Sequence, residues 1–148
     1  LLHKLTCKIQ LKKLLAYTVF GTSFTYNKHQ KLKSRKAIAS LFQTGNSLHS
    51  FPVRVIYTIE NNVVDSSVIS KAAVSVSSRH FKKAAQRNRI KRLLRESWRL
   101  EKYILESVLQ KHHSKASLFF VYTGTQIPEF VEVQSQIKKL IEKILKTI

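Results

Sequence analysis

Apolar residues recur along the chain with two periods, one typical of helices and one typical of strands. The longest helical pattern begins at Arg79, continues past Lys102 and is predicted to end near residues 112–114. Its apolar side consists of Ile90, Leu93, Leu94, Ser97, Leu100, Ile104 and Val108. Its opposite side is predicted to carry Arg87, Asn88, Lys91, Arg92, Arg95, Arg99 and Lys102. We therefore expect a helix that packs on a core and presents a cationic stripe.

Two shorter helical patterns lie on either side of this helix. In the first, Ser34 is a suitable N-cap and Gly45 a typical stop. Its apolar stripe consists of Ile38, Leu41 and Phe42. In the second, Pro128 suits the first turn and Glu129 the positive end of the helix dipole. Its predicted core stripe consists of Phe130, Val133, Ile137, Leu140, Ile141, Ile144 and Ile148.

The run at residues 51–60 alternates and predicts a strand with both faces partly covered. One face is predicted to carry Phe51, Val53, Val55, Tyr57 and Ile59, and the other Arg54, Ile56 and Thr58. Residues 45–50 before it are expected to form a loop, and a short strand is expected at residues 63–64.

Residues 71–78 predict a further strand, and residues 118–122 a continuous apolar strand buried on both faces. These two strands flank the long helix, so we expect them to be parallel. The resulting order, α-β-β-β-α-β-α, predicts a single α+β domain, an α/β sandwich, with a mixed sheet. This domain is assigned to residues 24–148.

Residues 1–23 are predicted to be an N-terminal extension. A frayed or partly helical segment is one interpretation, and the others are a secretory signal and a basic amphipathic helix on a membrane surface. No apolar run approaches the ~20 residues needed to span a bilayer.

The charge of the chain narrows the choice of partner. Lys and Arg number 27 against 8 acidic residues, which gives a formal net charge of +19. Such an excess in a folding sequence points first to nucleic acid and second to an anionic membrane. Cys7 is the one cysteine, so an internal disulfide is impossible, which fits a reducing cytoplasm.

The sequence contains no arrangement that suggests catalysis by the protein. Its eight carboxylates are scattered, and its three glycines form no phosphate-binding loop. The adjacent His112 and His113 cannot face the same way on a helix, so no metal site is predicted. We expect a binding protein without a cofactor of its own.

Residues 87–96, RNRIKRLLRE, resemble the RNR signature of the bacterial ribonuclease P protein component. Residues 75–86, SVSSRHFKKAAQ, resemble the strand-to-helix segment that precedes that signature. The resemblance implies an accessory protein subunit of a cytoplasmic endoribonuclease whose RNA subunit holds Mg²⁺ and cleaves. The partners implied are ribonuclease P RNA, with one protein per RNA, and precursor tRNA, whose 5′ leader is removed. It also implies a left-handed crossover through the basic helix, although right-handed crossovers are the rule.

The resemblance assigns two binding surfaces. The surface for the catalytic RNA comprises Lys82, Lys83, Arg87, Asn88, Arg89, Lys91, Arg92 and Arg95. Within it, Arg89 is expected to lie nearest the border with the core. The cleft for the single-stranded leader comprises Phe42, Tyr57 and Arg79.

Two of the cleft residues also have a plain structural interpretation. Phe42 could be a core aromatic, and Tyr57 could simply pack within the sheet. Ile38 stands where some family members have a second cleft aromatic, and Ser78 replaces the first of two lysines. An alternative for the whole chain is a non-catalytic basic RNA-binding protein of ribosomal or chaperone-like type. Membrane association through residues 1–23 is a further alternative.

Overall fold

The computed structural model describes residues 25–61 and 68–148, which form three helices around a four-stranded sheet. In chain order the elements are α1 (Arg35–Thr44), β1 (Asn46–Ser50), β2 (Val53–Glu60), β3 (Ser70–Val76), α2 (Ala84–Lys111), β4 (Lys115–Tyr122) and α3 (Phe130–Leu145). A short 3-10 turn at Lys28–Gln30 precedes α1. The predicted α+β class and the order of helices and strands are confirmed. The extension predicted at residues 1–23 lies outside the described residues.

Strand β1 lies in a segment where the sequence predicted no strand. Residues 45–50 were expected to form a loop, but Asn46 pairs with Tyr57 and Ser50 with Val53 in an antiparallel ladder. This strand occupies the edge of the sheet, where few side chains are covered, so its sequence is polar and Leu48 supplies its core contact. The strand expected at residues 63–64 lies outside the described residues.

The sheet has the order β1-β2-β4-β3. Strand β2 pairs antiparallel with β1 and β4, whereas β3 and β4 are parallel. Because β3, α2 and β4 follow one another along the chain, they form the predicted βαβ unit. The left-handed sense of its crossover stays a prediction.

The sheet separates two apolar layers of unequal size. On one face, α2 and α3 cover Leu118 and Phe120, and the Trp98 ring lies 5.4 Å from the Phe120 ring. On the other face, α1 covers Ile56 in a smaller cluster. Helix α1 has only 10 residues, and it leaves Arg54 of the same face exposed.

Helix α2 begins at Ala84 rather than at Arg79. The chain turns through residues 77–83 because Phe81 is buried there, with its ring 5.9 Å from the Tyr122 ring. The helix ends at Lys111, as the sequence predicted.

The buried side of α2 is wider than the predicted stripe and is rotated from it. Ile90, Leu94 and Ser97 are buried as expected. Leu93, Leu100, Ile104 and Val108 are only half-buried. Trp98, Glu101, Lys102, Leu105 and Leu109 are buried instead. The reason is that α2 packs against α3 as well as against the sheet, so a second arc of its surface is covered.

The ends of the other helices follow the sequence more closely. The Ser34 hydroxyl accepts a hydrogen bond from the Ala37 amide at 3.4 Å, and Gly45 ends α1. Helix α3 begins at Phe130, so Pro128 precedes the helix instead of occupying its first turn. Ile148, predicted to be in the core stripe, is 37% exposed because it lies beyond the last turn.

Candidate nucleic-acid interface

The outer face of α2 carries an exposed line of cations. Asn88, Arg89, Arg92 and Arg95 are exposed, and Lys91 is half-buried. Arg89 was expected near the core border, but the rotation of the helix turns it outward. Within the described residues, no carboxylate forms an ion pair with Arg89, Arg92 or Arg95. Their charge is therefore available to an anionic partner.

Arg99 differs from these three because its charge is partly offset. Its guanidinium donates two hydrogen bonds to the Glu96 carboxylate, at 2.9 and 2.5 Å. Hydrogen bonding from Arg99 lowers the pKa of Glu96, so the carboxylate stays ionised.

Arg87 stabilises the turn that precedes α2. Its Nη1 donates to the carbonyl oxygens of Phe81 and Lys82, at 2.7 and 2.6 Å. These bonds hold the turn that brings the exposed Lys82 and Lys83 to the N-terminal end of α2. Arg87 thus has a structural role, whereas Arg89, expected to lie nearest the core, is exposed.

Lys102 does not belong to the cationic face, contrary to the prediction. It is 2% exposed, and its Nζ donates to the Thr25 carbonyl oxygen and to Gln30 Oε1, both at 2.9 Å. Burial lowers the pKa of the Lys102 ammonium, and Glu106 Oε1 at 3.7 Å opposes that shift. The side chain fastens residues 25–30 to α2 instead of meeting solvent.

Phe42 lies between α1 and the sheet as a half-exposed ring. It is 51% exposed, and it meets the Phe119 ring edge-to-face, with the centroids 5.0 Å apart and the planes at 69°. This exposure does not fit a core aromatic. The sequence did not distinguish Phe119 from its neighbours as a cleft residue, because β4 is a continuous apolar run. Its half-buried state follows only from the partial cover that α1 provides.

Tyr57 is not part of this cleft, so that prediction is wrong. In the sheet register Tyr57 is opposite Leu118, whereas Ile56 is opposite Phe119. Tyr57 therefore points to the face covered by α2 and α3. It is 3% exposed there, and its hydroxyl lies 3.1 Å from Thr147 Oγ1.

On the same face of the sheet as Phe119, a cross-strand row of Arg54, Val121 and Ser75 leads to the end of β3. Arg54 is exposed, and its Nε donates to Ser47 Oγ at 2.8 Å. The alternation in the sequence placed Arg54 on the strand face opposite Tyr57. That pattern was the sequence signal that could have identified Arg54 as a residue of this face. Arg79 lies exposed in the loop that follows β3, and its amide donates to Ser77 Oγ.

Two features are absent from the described residues, a metal centre and a membrane-spanning helix. The described residues contain no group of three or more His, Cys, Asp or Glu side chains that could hold a metal ion. No helix in residues 25–61 and 68–148 has the length and apolar content to cross a membrane.

Comparison with known proteins identifies relatives over most of the chain. The model of the Ribonuclease P family matches residues 26–145. A ribonuclease P protein component from Porphyromonas gingivalis is 34% identical over 124 residues, which cover 82% of this chain and 88% of that protein.

Solved structures share the fold. The RNase P protein from Thermotoga maritima has a TM-score of 0.60 at 19% identity, covering 76% of this chain and 96% of that one. The Staphylococcus aureus RNase P protein has a TM-score of 0.54 at 18% identity, covering 79% and 95%.

Proposed function

This chain belongs to the ribonuclease P protein family, and we propose that it acts as the protein subunit of a bacterial ribonuclease P. In this role it binds ribonuclease P RNA, one protein per RNA, and assists removal of the 5′ leader from precursor tRNA. The observation that carries the proposal is the line of exposed Arg89, Arg92 and Arg95 on a helix whose other side is fixed in the core.

The cationic face of α2 suits the phosphate backbone of the catalytic RNA. Guanidinium groups bind phosphate oxygens through paired hydrogen bonds, and Asn88 beside them both donates and accepts. Lys82 and Lys83 add charge at the N-terminal end of α2, where no acidic residue occupies the first turn.

We assign the 5′ leader to the cleft between α1 and the sheet. Phe42 and Phe119 offer exposed aromatic surface for a base, and Arg54 and Arg79 offer charge to the leader phosphates. Stacking on aromatic rings tolerates any base, so this cleft would hold leaders of varied sequence. Two aromatics meet here even though Ile38 occupies the position where some family members have a ring.

We assign catalysis to Mg²⁺ ions on the RNA subunit. The support within the described protein is that three carboxylates are engaged in its own structure. Glu96 accepts from Arg99, Glu101 from Gln134 and Glu106 from Ser70.

The proposal is tested by reconstitution with a bacterial ribonuclease P RNA at low Mg²⁺, with precursor tRNA as substrate. The chain should increase cleavage, and the Arg92→Ala, Arg95→Ala double variant should need a higher concentration for the same rate. The slope of log affinity against log salt should fall by about 2, since about two phosphate contacts are lost.

The matched control is Lys138→Ala with Lys139→Ala, which removes two exposed charges from α3. This variant should behave like the unaltered chain. If the unaltered chain binds RNA but gives no gain in cleavage, the ribosomal or chaperone-like alternative replaces the proposal.

A further inference from the structure

A groove with an apolar floor runs along the outer side of α2. Phosphate groups would bind the cations of this groove but would make no favourable contact with its apolar floor. The groove consists of two adjoining depressions that share Arg92 and Leu93. The first extends towards the start of the helix, past Ala85, Asn88 and Arg89. Leu93, which the sequence assigned to the core, is half-buried and forms the centre of the floor.

Tyr26 lines the second depression, which continues along α2 past Arg95. The Tyr26 hydroxyl donates to the Ala72 carbonyl oxygen at 2.5 Å. Because this bond engages the hydroxyl, Tyr26 offers the groove its ring. Burial raises the pKa of Tyr26 to about 12, so the ring carries no negative charge near neutral pH.

The segment that carries Tyr26 is fixed to the domain on two sides. Lys102 Nζ donates to the Thr25 carbonyl oxygen and to Gln30 Oε1, both at 2.9 Å. The Leu32 amide donates to the Ala72 carbonyl oxygen at 2.9 Å. The Tyr26 ring is therefore held in place beside α2 before any ligand arrives, which lowers the entropic cost of binding.

Cations lie beside this apolar floor. Arg92 and Arg95 project from α2, and Lys31 Nζ lies 5.6 Å from the centroid of the Tyr26 ring. Glu96 also lines the groove, but its carboxylate is hydrogen-bonded to Arg99. The ligand that fits is anionic along its edges and apolar on its faces.

We propose that this groove binds an unpaired nucleobase of an RNA strand, with the base against Leu93 and Tyr26 and the flanking phosphates on Arg92 and Arg95. The proposal rests on the proposed RNA-binding function and adds a base contact to it. Paired bases hide their faces within the duplex, whereas an unpaired nucleotide offers a face and a phosphate together.

Two other occupants fit less well. Residues 1–24 of this chain contain Lys4, Lys8, Lys12 and Lys13 and no acidic residue, so the cations of the groove repel them. An acidic peptide matches the cations, but peptide carboxylates give the apolar floor no flat partner. Each of these occupants predicts a result in the binding experiment that differs from the result expected for a nucleobase.

The test uses the full chain carrying Phe42→Ala, which removes the exposed ring of the leader cleft. Fluorescence anisotropy at one salt concentration compares a short oligouridylate with the abasic ribose-phosphate strand of the same length. We expect the base-bearing strand to bind roughly tenfold more tightly, as one stacked base would give.

Leu93→Ser and Tyr26→Leu, each added to Phe42→Ala, should remove most of this preference and leave binding of the abasic strand unchanged. Tyr26→Phe, which keeps the ring, should retain the preference. If Tyr26→Leu fails to fold, Leu93→Ser and the comparison of the two strands decide the outcome.

Equal binding of both strands by the Phe42→Ala protein would overturn the base site and leave phosphate binding by α2 intact. Failure to bind either strand would overturn both proposals. The base site is also overturned if a short polyglutamate peptide outcompetes oligouridylate in a Tyr26-dependent manner, because the groove would then bind an acidic peptide. It is likewise overturned if the preference for the base-bearing strand is seen only after residues 1–24 are removed, because those residues would then occupy the groove.

Discussion

Arg87 and Arg92 carry the same charge on the same helix, yet their surroundings give them different tasks. The Arg87 guanidinium bonds two carbonyl oxygens of the preceding turn, at 2.7 and 2.6 Å. Arg92 is exposed between the two depressions of the α2 groove. The RNR segment therefore contains both a residue that stabilises the turn before α2 and a residue of the proposed RNA interface.

Substitution of the two arginines should separate these tasks. Arg87→Ala should lower the free energy of unfolding by about 1–3 kcal/mol, because two carbonyl oxygens lose a charged donor. Arg92→Ala should change it by no more than about 0.5 kcal/mol, as is usual for an exposed residue. Urea denaturation measures both, and equal losses would contradict the division of roles.

Tyr26 should make stability depend on alkaline pH. Its pKa rises from 10 in the unfolded chain to about 12 in the fold, chiefly by burial. The stabilisation from the neutral phenol is therefore complete below about pH 10 and is lost as the pH rises through about 12.

The comparison variant is Tyr26→Phe, which lacks the hydrogen bond to Ala72. Near pH 8 it should be less stable than the unaltered chain by about 0.5–1.5 kcal/mol. Between about pH 10 and 12 the difference should shrink and then reverse, since only the unaltered chain loses the contribution of Tyr26 there, whereas the other tyrosines titrate in both chains. A difference that stays constant over that range in urea denaturation would show that the phenol is not shielded.

At the scale of elements, the short α1 determines what the second face of the sheet can do. Its 10 residues cover Ile56 and leave the Phe42 ring half-exposed over Phe119. The cleft exists because α1 is too short to cover the whole of this face of the sheet.

Phe42→Ala should selectively weaken binding of precursor tRNA by the reconstituted complex. We expect roughly tenfold loss for precursor tRNA and little change for mature tRNA, since only the precursor has a leader to stack. Phe51→Ala is the matched control, because Phe51 is also an exposed phenyl ring, 67% exposed, at the turn between β1 and β2. Equal losses for both tRNAs would place Phe42 in a structural role.

At the scale of the whole molecule, the sheet separates the two proposed surfaces. The cationic face of α2 lies on one side, and the Phe42 cleft lies on the other. The two proposed surfaces can therefore be occupied at the same time without blocking each other. Residues 25–32 reach around the edge of the sheet, where Lys31 bridges to Ala72 of β3, and contribute Tyr26 to the α2 side.

This separation predicts additive effects on precursor binding. The losses from Arg92→Ala and from Phe42→Ala should sum in the double variant to within about 0.5 kcal/mol, because the sites share no contacts. A double-mutant cycle on precursor tRNA affinity measures the coupling. Coupling well above that limit would mean that both residues contact one continuous RNA segment.

Local patterns in the sequence determined a large part of this structure. Periodicity placed α1, β2, β3, α2, β4 and α3, and Ser34 and Gly45 marked the ends of α1. These features depend on neighbours within one or two turns, so they can be read from the chain directly. The charge of +19 and the residues RNRIKRLLRE were enough to indicate RNA and the family.

Only the tertiary structure decided which residues share a surface. Lys102 is buried because Thr25, 77 residues away, accepts its hydrogen bond, and Tyr26 is held by Ala72, 46 residues away. Tyr57 and Phe119 fall on opposite faces because of the register between β2 and β4. The sequence by itself determined every element except the edge strand β1, and the partner class, through local periodicity and charge. The edge strand, the cleft and the groove arise from packing and pairing between elements.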